Sequence, residues 1–162
     1  MMNSENVVGT VASTDDEPVD LFAQLSVFIF TLTEHNLAID AEQVLEITLA
    51  PKNLGLLRPD KVFIDEHDDF PLISPAFLLN TTIESLQKPR MVKFGLGGKL
   101  FGTIIEEPRR FQTLEFQEIQ AMPQIINIVR GNSLLWGVFE SEDELIFLLD
   151  LHRVQELADN SK

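Results

Sequence analysis

From Leu25 onward the apolar residues of this chain come in short runs of strand length, each closed off by turn-forming residues. Leu25, Val27, Ile29 and Thr31 alternate with Ser26, Phe28, Phe30 and Leu32, so both faces are apolar and the segment reads as a strand buried on two sides. Thr33 to Asn36 makes a turn, and Leu37-Ala38-Ile39 begins the return strand. Further strands are predicted at 61–64, 70–73, 90–94, 100–105, 111–116, 134–139 and 144–149. Pro71 confines its segment to a sheet edge or a strand start, because it has no N–H to donate. Gly95-Leu96-Gly97-Gly98-Lys99 and Glu140-Ser141-Glu142-Asp143 read as hairpin loops.

Helical signals are few. Asp40 is a good N-cap with Gln43 three residues on, and Ala41, Val44, Leu45 and Thr48 follow at helical spacing, which predicts a short helix over 41–47. Ser74-Pro75 starts a helical turn through Leu79, and Asp150 caps a C-terminal helix carrying Val154, Leu157 and Ala158. The expected class is all-β with a few short helices, built as a barrel architecture.

A chain of 162 residues is one domain, or two small lobes sharing a core. Residues 1–22 carry Glu5, Asp15, Asp16, Glu17 and Asp20, no base and little apolar content, so they read as a disordered acidic tail before a folded domain over 23–158. Acidic residues outnumber basic ones 26 to 12, a net charge of −14. That argues against nucleic acid and anionic membrane as partners, since both require a positive footprint. No apolar run approaches a membrane span, so direct membrane insertion is not expected. The absence of cysteine excludes disulfides, thiolate metal sites and cysteine nucleophiles. No Lys or Arg precedes Lys52, so a secretory leader is not expected and the cytoplasm is the expected compartment.

Catalytic chemistry finds little footing. His35, His67 and His152 have no metal-ligand spacing, no serine sits in a nucleophile elbow, and tyrosine is absent. Asp65-Glu66-His67-Asp68-Asp69 is the richest polar cluster, but it lacks the spaced ligands and central glycine of an EF-hand loop and reads as a solvated acidic turn. In the glycine-rich loop, Lys99 leads into a strand and not into the helix that a phosphate-binding P-loop requires. Trp136 and the 12 phenylalanines read as core. No enzyme activity, metal or cofactor is therefore expected.

The order of these elements resembles the CheW-like domain family, the adaptor domain of bacterial chemosensory arrays. Phe28-Ile29-Phe30-Thr31-Leu32 with Leu37 to Ile47 is similar to that family's first hairpin and following helix. Phe70-Pro71-Leu72-Ile73 is similar to its V-P-V-I-D-L strand, and Gly98 to Glu106 resembles its G-x-x-x-G-L-x-V-D strand. Gly137-Val138 and Ile146 to Leu151 resemble its closing hairpin and helix start. The likeness spans about residues 25–155.

The resemblance implies two five-stranded β-barrel lobes around a shared hydrophobic core. It also implies a non-enzymatic adaptor that bridges a chemoreceptor's cytoplasmic tip and the regulatory domain of a CheA-type histidine kinase. By position, Val44 and Glu46 are similar to residues of the family's binding surface. The chain departs from the pattern where the family carries Asn-Leu-Arg-Gly: it has Ile64-Asp65-Glu66-His67, with Glu66 near the arginine position, and Ser74 stands for the strand aspartate. A carboxylate in place of a guanidinium reverses the sign of a contact, which implies a divergent member whose partner presents Lys or Arg to Glu66, His67 and Asp68. The alternative from a different class is a small-molecule-binding β-barrel, which requires an apolar cavity with a few convergent polar groups.

Overall fold

The computed structural model describes residues 10–11, 19–20, 23–52, 54–64, 70–123, 128–131 and 134–161. Within the segment read as a tail, β1 (Thr10–Val11) pairs antiparallel with β2 (Val19–Asp20). The rest of residues 1–22 lies outside the described residues.

The two-sided apolar segment is strand β3 (Gln24–Leu32), which turns back into β4 (His35–Asp40). The turn is tighter than the four residues expected: only Thr33 and Glu34 stand outside the strands, at φ 43° and 72°, and Leu32 faces His35. Positive φ at both central residues matches the twist of a two-residue hairpin, although neither residue favours it.

The largest departure follows Asp40. Its side chain does cap, accepting from the Glu42 N–H at 3.0 Å, but the helix stops after a single 3-10 turn at Ala41–Gln43. Strand β5 (Val44–Leu49) takes up residues 44–47, expected to continue that helix. Its Val44, Ile47 and Thr48 are β-branched, and pairing with β8 (Pro89–Leu96) satisfies backbone groups that a short exposed helix would leave frayed. β6 (Phe63–Ile64) and β7 (Leu72–Ile73) follow, and Pro71 sits immediately before β7, its carbonyl accepting from the Gly102 N–H at 3.0 Å. Ser74 then leads into α1 (Pro75–Leu79), with Pro75 at the first helical position as expected.

β8 and β9 (Lys99–Glu115) form the glycine-turned hairpin, closed by Gly97 and Gly98 at φ 53° and 85°. The segments 100–105 and 111–116, read as separate strands, belong to this single strand of 17 residues, except that Phe116 already opens a 3-10 turn over Phe116–Glu118. Glu107 at φ 37° and Pro108 interrupt the register where β9 changes neighbours, and the backbone runs on through them. β10 (Leu135–Ser141) and β11 (Glu144–Leu149) make the last hairpin, and α2 (Leu151–Asn160) is capped by Asp150, which accepts from the His152 and Arg153 N–H groups.

The strands sort into two groups that share β9. One runs β10-β11-β4-β3-β9 and uses the C-terminal half of β9; the other runs β5-β8-β9-β7-β6 and uses its N-terminal half. The all-β class with few short helices is therefore what forms. Neither group closes into a ring among the described residues, so the expected closed barrels are realised as open sheets. The flanking segments 54–62 and 116–123 supply single bridges (Leu57 with Ile83, Gln120 with Val138) where a sealing strand would be needed.

Between the groups lies one core. Phe28, Leu32 and Leu37 from the first group meet Ile73, Phe94 and Ile105 from the second, and Val154 and Ala158 of α2 pack onto it. Phe28 stacks on Phe30 at 5.8 Å, and Phe94 on Phe101 at 6.3 Å. The interior space bounded by Phe28, Ile73, Phe94 and Leu149 is about 10 Å³, no more than a single water needs. A ligand chamber of the kind required by the small-molecule reading is not what this core encloses.

Candidate functional site

β5 is the strand on which two of the sequence-predicted site residues fall. Among the described residues it pairs with β8 alone, so one side of its backbone has no ladder partner, the arrangement that invites addition of another chain. The register shifts between Val44 and Glu46, leaving Leu45 as the extra residue of a bulge. Val44 faces Phe94 and packs against the shared core, whereas Glu46 faces Lys93 and is exposed. Position therefore brings the two residues to one edge but gives them different tasks: Val44 anchors, and Glu46 meets solvent.

The residues that make this edge unusual are two leucines, one inside the segment read as a helix over 41–47 and one just beyond it. Leu45 is 55% exposed and Leu49 75%, large values for leucines on a paired strand. Leu45 lies over Gly95 of β8, whose ladder partner is the half-exposed Leu100, so the bare glycine leaves an apolar surface between two leucines. Beside it, Lys93 extends over the Phe70 ring at 5.2 Å from the centroid. The density of β-branched residues between Val44 and Thr48 was the signal that could have marked this strand from sequence.

Glu66, His67 and Asp68, the other predicted contact residues, lie outside the described residues, as does the whole of 65–69. Their flanks are Ile64 at the end of β6 and Phe70, which packs with Leu72, Met91 and Ile104 against the sheet of β8 and β9.

A second surface feature sits at the junction of the two strand groups. Thr31, Thr33, Glu34, Ser85, Gln87, Glu106 and Glu107 line a cleft of about 470 Å³. Glu106 is buried at its base, and both carboxylate oxygens accept backbone N–H groups, from Thr33 and from Gln87, each at 2.6 Å. Its acceptors are thus committed to holding the fold. Among the described residues no group of three or more His, Asp or Glu side chains is placed to hold a metal ion.

No family model matches the sequence, and no curated protein matches it. The class defined by the architecture is nonetheless specific: a mostly-β scaffold of two strand groups around one core, with the CheW-like fold. The scaffolding protein TtCheW from Thermoanaerobacter tengcongensis, known from its crystal structure, superposes with a TM-score of 0.68 over 88% of this chain and 92% of that one. Sequence identity across the match is 15%, so the likeness is one of fold. No helix among the described residues is long and apolar enough to cross a membrane.

Proposed function

We propose that this chain is a non-enzymatic adaptor in bacterial chemosensory signalling, acting in the cytoplasm to couple a chemoreceptor's cytoplasmic tip to the regulatory domain of a CheA-type histidine kinase. The observation that carries the reading is the fold, which is nearly coextensive with that of a scaffolding protein. The exposed β5 edge supports it, since apolar side chains next to an unpaired strand backbone favour capture of a partner strand or loop. In this reading Leu45, Glu46 and Leu49 face the partner, and Val44 holds the strand against the core. The segment 65–69 gives the adaptor altered partner specificity: Glu66 and Asp68 select a surface bearing Lys or Arg, where an arginine would select an acid.

The test is capture of a purified CheA regulatory domain and of a receptor tip fragment by the immobilised full chain, at low and at high salt. Capture of either supports the adaptor, and capture of neither at any salt concentration overturns it. The salt series separates two contributions, because screening weakens contacts between exposed charges and leaves apolar contact largely intact.

A further inference from the structure

Glu106 is the residue at which β9 passes from one strand group to the other: it is in register with Pro89 of β8 and with Thr31 of β3. Its carboxylate, on a residue only 6% exposed, bonds the Thr33 N–H with one oxygen and the Gln87 N–H with the other. Thr33 belongs to the β3–β4 turn of the first group, and Gln87 to the segment that enters β8 of the second. Four of the seven non-glycine residues at positive φ among the described residues lie at this carboxylate or next to the residues it holds. Thr33 and Glu34 lie at 43° and 72°, Lys88 at 44° and Glu107 at 37°. Non-glycine residues hold such backbone only where the surroundings impose it, so these turns relax when the imposing contact is lost.

We infer that Glu106 is a conformational latch between the two strand groups, and that its release frees the Thr33–Glu34 turn and the Gln87–Lys88 segment in one event. The two segments are 54 positions apart in sequence, and the carboxylate joins them by one bond to each. A purely local contact would let each turn open by itself. A shared carboxylate under strain from both sides makes their openings coincide, and the strain released in one turn favours opening of the other.

The experiment is native-state amide hydrogen exchange by NMR on the full chain, comparing Glu106→Gln with the unmodified protein. A carboxamide offers one oxygen where the carboxylate offers two, so the Thr33 and Gln87 amides are expected to exchange at least tenfold faster, while the Phe139 amide in the opposite half of the first group keeps its rate. Acceleration of only one of the two amides, or acceleration no greater than that of Phe139, overturns the latch. Should Glu106→Gln fail to fold, Thr33→Gly provides the second arm. It keeps the carboxylate and removes the strain at φ 43°, so the distant Gln87 amide is expected to exchange several-fold more slowly. An unchanged or faster Gln87 rate in that variant overturns the coupling.

Discussion

Leu45 rests on Gly95: its Cδ1 lies 3.1 Å from the point where a Cβ on the glycine would stand. The contact is to the free end of an exposed side chain, so Gly95→Ala moves Leu45 by a few tenths of an ångström at small energetic cost. Gly102 on the neighbouring strand is the opposite case. A Cβ there would meet Phe70 at 2.5 Å, Leu72 at 2.8 Å and the Val92 carbonyl oxygen at 2.9 Å, all within packed structure. Overpacking of that kind costs about 1–3 kcal/mol or more. Urea denaturation is therefore expected to rank Gly102→Ala below Gly95→Ala by about 2 kcal/mol; equal stabilities would mean the sheet around Phe70 yields easily.

Leu45→Asp with Leu49→Asp separates docking from folding. Both side chains are largely in water, so the double variant is expected to stay within about 1 kcal/mol of the parent in denaturant unfolding. Capture of the kinase domain or the receptor tip should fall at least tenfold. Full retention of binding in a folded variant would remove β5 from the partner surface.

Charge reversal at Glu66 and Asp68, each to lysine, addresses the other half of the proposed surface. Loss of capture is expected at low salt, with the difference from the parent shrinking as salt rises. A difference that is as large at high salt as at low would show that the effect is not electrostatic.

Arg130 provides a stability prediction independent of any partner. Its guanidinium donates to the carbonyls of Phe77, at 2.7 Å, and of Pro59, and lies 4.1 Å from the centroid of the Phe77 ring. It thereby ties the segment before β10 to α1 and to the loop before β6. Arg130→Ala leaves both carbonyls without this donor, and a loss of about 2–3 kcal/mol is expected in urea unfolding. Arg130→Lys should recover less than half of it, because a single ammonium cannot reproduce the planar fork.

Several elements were legible because their chemistry is local. Pro75 starts a helix because its fixed φ suits the first helical position, Asp150 starts one by a side-chain cap, and Gly97-Gly98 turns a hairpin because glycine tolerates the left-handed backbone. The order of strands was legible too, and with it a likeness to a CheW-like fold. At the candidate site the sequence pointed to Val44 and Glu46 by position, but concealed Leu45 and Leu49. Ala41, Val44, Leu45 and Thr48 satisfy a helical spacing as well as a strand, and only pairing with β8 chooses between them. The Thr33–Glu34 turn was misjudged for a related reason. Neither residue favours positive φ, and part of what holds Thr33 there is an oxygen of Glu106, 73 positions away.

What the amino-acid order determined alone is the all-β class, the caps and glycine turn, the acidic balance and the lack of any cysteine chemistry, since each depends on residue type and near neighbours. Only tertiary structure decided that 100–105 and 111–115 are one strand, that β7 lies parallel to β9 and β11 parallel to β4, and that β5 has an apolar edge with no ladder partner among the described residues. Those outcomes depend on contacts between residues far apart in the chain. Their free energy is realised only once the distant partner is in place, so no local pattern could record it.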